Sequence, residues 1–384
     1  MHRIFVPRET TSGEHRVAAT PETVRRLVKE GFEVAVEAAA GAASFFADEA
    51  YREAGARLAT EQDWGADVVL KVAPPTSQEA HALASGAVLV GLLSPHQNLE
   101  AVRVLCDQRI SSLAMELIPR ITRAQPMDAL SSQASIAGYK AALLAAWRLP
   151  KYFPLLMTAA GTIKPARVVI MGAGVAGLQA VATAKRLGAV VEVSDIRPAV
   201  QEQVESLGGR FIELPMAETG EGEGGYAREM GEEFLRRQRE IVAEHVAAAD
   251  VVITTAQVPG RPAPMLVPRA MVERMKPGSV IVDLAVATGG NCELSRMDEE
   301  VVHRGVLILG VGNLPATTSH DASAVYARNV LNLILEIRGG DGTVTIDPEN
   351  EIVDGALLTH DGEVRHAPTR EALDADHPAG PEGG

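Results

Sequence analysis

The stretch that most constrains the fold of this chain runs from Arg167 to Asp195, where a strand pattern, a glycine-rich turn, a helix pattern and a second strand pattern follow one another. The first strand pattern, Val168 to Met171, leads into the sequence Gly-Ala-Gly-Val-Ala-Gly at residues 172–177. A glycine triplet with this spacing between a strand and a helix is the fingerprint of a βαβ unit that binds a dinucleotide. The order of these elements therefore predicts an α/β domain with a parallel sheet and a nucleotide site at the turn.

Each glycine of the turn has its own physical task. Gly172 permits the tight turn, Gly174 allows the backbone to approach a pyrophosphate, and Gly177 allows the helix to pack closely on the strand. The N-terminus of the helix, with Val175 and Ala176, offers free N–H groups to the anion. We therefore expect these five residues to bind the cofactor.

The acidic residue at the end of the second strand predicts which dinucleotide binds. Asp195 lies 18 residues after Gly177, where a carboxylate accepts the two hydroxyls of an adenine ribose and repels a 2′-phosphate. NAD(H) is therefore favoured over NADP(H) on this chain. We expect the neighbouring Ile196 and Arg197 to contact the nucleotide as well.

Composition and charge restrict the class of protein. A chain of 384 residues is long enough for two domains, and its net charge of −14 argues against nucleic acid and against an anionic membrane surface as direct partners. Cys106 and Cys292 have no metal-ligand spacing, so we expect a reducing compartment and no metal. No stretch approaches the roughly 18 apolar residues of a spanning helix. These features predict a soluble, cytoplasmic protein.

A second series of alternating strand and helix patterns precedes the fingerprint. The patterns predict α/β architecture with two doubly wound parallel-sheet (Rossmann-like) domains flanking a cleft. We expect one domain at residues 1–132 plus 321–366 and the NAD(H)-binding domain at residues 133–320. The Pro- and Gly-rich residues 367–384 are predicted to be a disordered tail.

The segment from Glu116 to Lys140 makes the prediction more specific, because with it the chain resembles the NAD(H)-binding component of the proton-translocating nicotinamide nucleotide transhydrogenases. The resemblance spans nearly the whole chain and is carried by colinear segments at residues 7–9, 14–21, 70–74, 116–140, 157–162, 174–189, 202–209, 225–234, 275–285 and 289–292.

The resemblance implies that Arg120, Gln125 and Asp128, with Ser131 beside them, hold the nicotinamide end of the complex. An Arg and an Asp eight residues apart are able to lock a loop, and a Gln amide is able to bridge to a second nucleotide. The alternative from the residues alone is that Asp128 and Ser131 cap the following helix.

Other segments are expected to line the same nucleotide. The resemblance implies that the Gly-rich stretch before Tyr226 is a mobile loop that closes over NAD(H), with Tyr226 as its contact; without the resemblance, the stretch is interpreted as a linker. We also expect contacts after the later strands, at the carboxyl edge where doubly wound sheets bind ligands. These residues are Thr255, Ala256, Gln257, Asn313 and Leu314.

The activity implied by the resemblance is direct hydride transfer between NADH on this chain and NADP⁺ on a partner beta subunit. Membrane-spanning subunits would couple that transfer to proton translocation. The resemblance further implies a homodimer that associates peripherally with the inner membrane through its partners.

The main alternative is alanine dehydrogenase, which resembles the same chain and whose substrate-binding Arg and Lys match Arg16 and Lys71. That enzyme uses a catalytic His where this chain has Ser94, and His96 lies two residues later. Without a proton carrier at this position, oxidation of an amine is disfavoured. A non-catalytic NAD-binding module is the other alternative.

Overall fold

The computed structural model describes residues 2–59, 63–213, 226–257, 262–340 and 342–376, with the backbone alone for residues 226–235. The chain divides into two compact units. Unit one contains Met1–Gln133 and Pro315–Gly384, and unit two contains Ala134–Leu314. The chain therefore leaves unit two earlier than at residue 321, where we placed the boundary.

The strands are, in chain order, β1 Arg3–Val6, β2 Glu33–Glu37, β3 Arg57–Ala59, β4 Val68–Leu70, β5 Val88–Gly91, β6 Ser111–Ala114, β7 Leu156–Thr158, β8 Gly161–Ile163, β9 Arg167–Met171, β10 Val190–Ser194, β11 Arg210–Phe211, β12 Val251–Thr254, β13 Val280–Asp283, β14 Glu299–His303, β15 Val306–Gly310, β16 Leu357–His360 and β17 Glu363–Val364.

The helices are α1 Pro21–Lys29, α2 Asp48–Glu53, α3 Ser77–Ala82, α4 Leu99–Asp107, α5 Ala129–Arg148, α6 Val175–Arg186, α7 Gln201–Ser206, α8 Tyr226–Ala248, α9 Arg269–Val272, α10 Ser319–Glu336, α11 Glu351–Ala356 and α12 Ala367–Asp376. Across the described ranges, none of them is long and apolar enough to cross a membrane.

Unit one is built on one sheet with the strand order β17-β16-β6-β5-β4-β1-β2-β3. The six strands from β6 to β3 are parallel, whereas β16 and β17 add antiparallel pairs at the other edge. The central parallel strands are buried on both faces, and for that reason they have continuous apolar sequences such as Val68–Leu70. Strand order reverses between β1 and β4, as it does in a doubly wound fold.

Unit two carries the second sheet, in the order β11-β10-β9-β12-β13-β15-β14. All neighbours are parallel except β14, which pairs antiparallel with β15 at the edge. The strand that leads into the glycine turn, β9, lies at the centre and pairs with β10 and β12. The predicted α/β class with two Rossmann-like domains is confirmed.

The prediction of a disordered tail beyond residue 366 is wrong for the beginning of that segment. Residues Ala367–Asp376 form helix α12, in which Thr369 is fully buried. His366 precedes the helix, and its Nδ1 lies 2.7 Å from Thr369 Oγ1. A polar group just before a helix commonly pairs with the first turn of that helix in this way. The composition of this segment, rich in Pro and Asp, concealed the start of the helix. Residues 377–384 lie outside the described residues.

Candidate nucleotide-binding site

The glycine turn of unit two is held so tightly that two of its positions exclude any side chain. Gly172 has a φ of +107°, and its N–H donates to the Ser194 carbonyl over 2.8 Å. A Cβ on Gly177 would lie 1.9 Å from the Gly172 carbonyl oxygen. The turn and the close approach of α6 to β9 therefore depend on glycine, for the reasons we predicted.

The start of α6 is open where a pyrophosphate would approach. Gly174 caps the helix without a side chain, and a Cβ there would meet no atom within 4 Å. Val175 is exposed and Ala176 half-buried. Free N–H groups at the start of this 12-residue helix face an accessible surface, which fits the pyrophosphate of a dinucleotide.

Sequence reasoning missed the residue that packs behind this helix start. Gly138 of α5 lies against Ala176, and a Cβ at Gly138 would approach the Ala176 carbonyl oxygen to 2.0 Å. A glycine inside a 20-residue helix is itself a signal, because it costs about 1 kcal/mol relative to Ala unless close packing requires it.

The residues after β12 line the same edge of the sheet. Thr255 donates its N–H to the Met171 carbonyl over 2.9 Å and its Oγ1–H to the Gly172 carbonyl over 3.1 Å. The Gln257 amide donates to the Leu284 carbonyl over 2.7 Å. Thr255, the first residue of the predicted segment Thr255–Gln257, thus contacts the glycine turn directly.

Asn291, which the sequence analysis did not select, fixes that segment from behind. Its side-chain oxygen accepts from Ala256 N–H over 3.0 Å, and its amide donates to the Ala256 carbonyl over 2.8 Å. Asp283, fully buried at the end of β13, accepts the Asn291 N–H over 2.9 Å. The sequence feature that could have predicted this arrangement is Asp283, an acidic residue at the end of an apolar strand pattern.

Asp195 follows β10 and lies within reach of the glycine turn. Its Oδ2 accepts from Ala173 N–H over 2.7 Å and from Arg197 Nη2 over 2.8 Å. Its Oδ1 accepts from the Arg197 N–H over 2.9 Å and from Nε over 3.0 Å. Burial raises the pKa of Asp195, but these hydrogen bonds outweigh burial, so its pKa lies below the ordinary value and the carboxyl is charged at neutral pH.

The remaining predicted contacts are less defined. Ile196 is 84% exposed beside Asp195, which suits an apolar cover for an adenine ring. Asn313 and Leu314 follow β15, so they too come after the carboxyl end of a parallel strand. The side chain of Tyr226 and the Gly-rich stretch before it lie outside the described residues, although α8 begins at Tyr226.

The Arg/Gln/Asp loop belongs to unit one, where a 3₁₀ segment, Thr122–Met127, connects to α5. Two amides of α10 hold this segment, since Asn329 and Asn332 donate to the Pro126 carbonyl over 2.8 and 3.2 Å. Arg120 and Gln125 are exposed. This segment therefore presents Gln125 to solvent from a fixed backbone, and Arg120 lies exposed two residues before it.

Asp128 acts as a helix cap rather than as half of an ion pair. Its carboxylate accepts the Ser131 N–H over 2.8 Å and the Ser131 hydroxyl over 2.6 Å, at the start of α5. Within the described ranges, no ion pair joins Asp128 to Arg120, and both Asp128 oxygens accept from Ser131, so the expected Arg–Asp lock is wrong in this structure. The cap uses the carboxylate at short range, and Arg120 extends into solvent instead.

Arg16 and Lys71, the residues that raised the alanine dehydrogenase alternative, are both buried and paired inside unit one. Arg16 makes a bidentate ion pair with Glu14, over 2.6 and 2.8 Å, and donates to the Gln133 side chain over 2.9 Å. Lys71 is 1% exposed and lies 3.2 Å from Glu79. These two cations are therefore already neutralised by the protein's own carboxylates.

Glu9 is a third carboxylate beside these cations. Together, the side chains form the buried cluster of unit one, which consists of Glu9, Glu14, Arg16, Lys71 and Glu79. Glu9 lies 3.2 Å from Lys71 Nζ, and its other oxygen accepts the Val72 N–H over 2.5 Å. Glu9, Glu14 and Glu79 thus outnumber the two cations Arg16 and Lys71. Burial raises the pKa of Glu9, and Lys71 offsets that effect only in part.

The position after β5, where alanine dehydrogenase would carry its catalytic His, is occupied by Ser94. Ser94 takes a left-handed φ of +44°, and Glu116 accepts the N–H groups of Leu93 and Ser94 over 2.9 and 2.5 Å. His96 is exposed, and its ring centre lies 5.9 Å from that of His366. His96 thus contacts another element of unit one rather than the Arg16 and Lys71 cluster.

Comparison with known proteins accords with the two-unit organisation. The family described as alanine dehydrogenase/PNT, N-terminal domain, matches residues 5–137, and the corresponding C-terminal domain family matches residues 141–367. The chain is 47% identical over 375 residues to the first part of the NAD(P) transhydrogenase subunit alpha of Rhodospirillum rubrum, covering 95% of this chain and 98% of the relative.

Solved structures show the same two similarities. A transhydrogenase from Sinorhizobium meliloti is 45% identical with a TM-score of 0.86, over 94% of this chain and 99% of that one. An L-alanine dehydrogenase is 26% identical with a TM-score of 0.83, over 97% of this chain and 99% of that one.

Proposed function

Because the chain belongs to the alanine dehydrogenase/PNT family, and within it to the alpha subunits of NAD(P) transhydrogenase, we propose that it binds NAD(H) and exchanges hydride with NADP(H) on a partner subunit. The observation that carries the nucleotide assignment is the glycine turn of unit two, with Asp195 at the end of the adjacent strand. The turn provides free N–H groups for a pyrophosphate, and Asp195 provides a charged acceptor for a ribose.

The reaction moves a hydride from C4 of NADH to C4 of NADP⁺, so NADH becomes NAD⁺ and NADP⁺ becomes NADPH. No proton is lost or gained in this step, so the protein needs neither a general acid nor a general base for it. Its work is to bring two nicotinamide rings face to face and to exclude water.

The proposal assigns a role to residues of each unit taken by itself. Unit two holds the pyrophosphate at the start of α6 and the adenosine beside Asp195. In unit one, Arg120, Gln125, Asp128 and Ser131 take the role that the resemblance implies, holding the nicotinamide end. The fixed backbone of Thr122–Met127 supports this role, since a positioning residue needs a rigid base.

The partners follow from charge and from the reaction. Since Asp195 disfavours a 2′-phosphate, NADP(H) is held by a separate NADP(H)-binding beta subunit. Membrane-spanning subunits carry the proton and tie this chain to the membrane surface. The name of the Rhodospirillum relative, which describes one portion of a subunit alpha, supports such an assembly.

We also propose a homodimer, and the hairpin β7–β8 supports it. Met157 is 72% exposed on one strand and Ile163 43% exposed on the other, next to Leu155 at 54%. A two-stranded hairpin with uncovered apolar side chains is only marginally stable in water, and a second copy would cover it. Met157→Glu should then convert the dimer to a monomer in sedimentation velocity, whereas an unchanged mass would reject the hairpin as the contact.

The test of the function has two stages. Calorimetric titration of the isolated chain should show NADH binding much more tightly than NADPH, and equal affinities would reject the assignment of NAD(H) to this chain. Addition of an NADP(H)-binding subunit should then allow NADH to reduce NADP⁺. The products must be separated by chromatography because NADH and NADPH absorb alike, and the subunit without this chain is the control.

A further inference from the structure

The carboxylate of Asp195 has no room left for a ligand in this structure. A carboxylate has about four acceptor positions, two on each oxygen. Two backbone N–H groups, of Ala173 and Arg197, occupy two of them, at 2.7 and 2.9 Å. The guanidinium of Arg197 occupies the others, through Nε at 3.0 Å and Nη2 at 2.8 Å.

The two pairs of donors differ in how easily they leave. The backbone donors are fixed by the glycine turn and by the chain after β10. The Arg197 side chain is 57% exposed, whereas the Asp195 side chain it covers is 6% exposed. Because the Arg197 side chain is largely in water, its guanidinium stays hydrated when it leaves Asp195, so it is the donor that another group is able to displace.

We propose that Arg197 determines the nucleotide specificity of the site. In the first half of the proposal, the displacement half, its guanidinium holds the Asp195 carboxylate until the two hydroxyls of an adenosine ribose replace it. In the second half, the same guanidinium gives the site an affinity for a 2′-phosphate, and Asp195 suppresses that affinity. The inference rests on the proposed NAD(H) site. A ribose diol donates two hydrogen bonds, which is the number that the guanidinium gives up. A 2′-phosphate meets the negative Asp195 as long as that residue engages Arg197.

The two halves of the proposal predict opposite responses. Removal of the side chain in Arg197→Ala frees two acceptor positions, so NADH should bind about three- to tenfold more tightly. Replacement of the carboxylate in Asp195→Asn keeps an acceptor for Ala173 N–H but releases Arg197, which then pairs with a phosphate through charge-assisted bonds. NADPH affinity should therefore rise at least about tenfold, and the double variant should lose that gain.

The experiment is calorimetric titration of NADH and NADPH into the full chain and these three variants. The control is Arg186→Ala, which removes a charge from the far end of α6 and should change neither affinity. Unchanged or weaker NADH binding by Arg197→Ala would overturn the displacement half. A gain in NADPH affinity that survives in the double variant would overturn the second half of the proposal, that Arg197 binds the 2′-phosphate. Removal of the Asp195 charge alone would then explain the gain.

The outcomes also separate this inference from the proposed function. Wild-type chain that binds NADH, together with an Arg197→Ala variant of equal affinity, contradicts the inference alone. Wild-type chain that binds no NADH contradicts both. Melting curves of each variant show whether it is folded, and if Asp195→Asn is not, the Arg197→Ala titration decides the inference.

Discussion

Gln125 is an exposed amide on a backbone that α10 holds in place, so its replacement should affect chemistry without affecting the fold. If Gln125 bridges the two nucleotides, Gln125→Asn should leave NADH affinity and melting temperature nearly unchanged. Hydride transfer in the reconstituted complex should fall by one decade or more, at about 1.4 kcal/mol for each decade. Single-turnover transfer with saturating nucleotides measures this, and a normal rate would remove Gln125 from the site.

Asp128 separates a capping role from a catalytic one. Asn caps a helix about as well as Asp, so Asp128→Asn should leave the free energy of unfolding nearly unchanged, whereas Asp128→Ala should lower it by about 1 kcal/mol. Urea denaturation measures both. We expect Asp128→Asn to lower hydride transfer because the charge is lost, and a normal transfer rate in this stable variant would reduce Asp128 to a cap.

Single residues were predictable where their chemistry is local. The need for glycine at 172 and 177 follows from a turn and a close helix, both of which are encoded within a few residues. The partner of a charged side chain is not local in that sense. The spacing of Arg120 and Asp128 allowed an ion pair, but the start of α5 offered Asp128 two nearer donors, the N–H and hydroxyl of Ser131.

The contact between α5 and the start of α6 sets the nucleotide turn at the scale of elements. Gly138→Ala should place a methyl group against the Ala176 carbonyl oxygen, where only 2.0 Å is available. The helices must separate, at a cost of about 1 to 3 kcal/mol, and NADH affinity should fall with the displaced α6 N-terminus.

Ser135→Ala is the matched control for that substitution, since it also adds helix propensity to α5 one turn earlier. Thermal unfolding and NADH titration of both variants decide the point. A Gly138→Ala variant that is more stable than the wild type would mean that propensity outweighs the clash and that the two helices do not pack as described.

Elements were predictable from the sequence where burial makes them apolar, and they were missed where it does not. The parallel strand β9 is largely apolar, and the pattern Val168–Met171 predicts it to within one residue of its observed start at Arg167. The edge strand β14, Glu-Glu-Val-Val-His, carries exposed acids and has no apolar pattern that would predict it. Strands β16 and β17 follow a long separation in sequence, and only pairing with β6 makes them part of the sheet.

The buried cluster of unit one predicts how stability of the molecule depends on pH. Because the pKa of Glu9 is raised in the folded state, protonation of this carboxyl stabilises the fold. That stabilisation is fully present below the pKa of Glu9 in the unfolded chain and is lost as pH rises through its pKa in the folded chain. Glu9→Gln mimics the protonated form and leaves two carboxylates for two cations. The melting temperature of Glu9→Gln relative to wild type should therefore be higher at about pH 8 than at about pH 5.

Differential scanning calorimetry of the full chain at both pH values tests this expectation. Glu22→Gln is a control, because Glu22 pairs with Arg328 at the surface and its pKa is lowered, so its pH dependence has the opposite sign. A Glu9→Gln variant that is most destabilised at high pH would show that the Glu9 carboxylate is charged in the fold and needed by Lys71.

The same cluster separates the two enzyme classes that share this architecture. A substrate carboxylate would have to displace Glu14 from Arg16 and Glu79 from Lys71, all within a region that is at least nine-tenths buried apart from the Glu79 side chain at 11% exposure. Breaking a buried ion pair costs about 3 to 5 kcal/mol. In addition, the Ser94 hydroxyl is not a proton carrier of the kind that amine oxidation requires, and His96 faces His366.

With L-alanine and NAD⁺ we therefore expect no alanine-dependent NADH formation, measured by absorbance, and no consumption of NADH with pyruvate and ammonium in the reverse direction. Alanine dehydrogenase 2 of Staphylococcus aureus, 29% identical to this chain, is the positive control. Alanine-dependent turnover that Lys71→Met abolishes would instead make Lys71 a substrate ligand and would contradict the transhydrogenase assignment. The two activities place opposite demands on Lys71, because a substrate ligand must release its carboxylate partners in every turnover, whereas a structural cation keeps them.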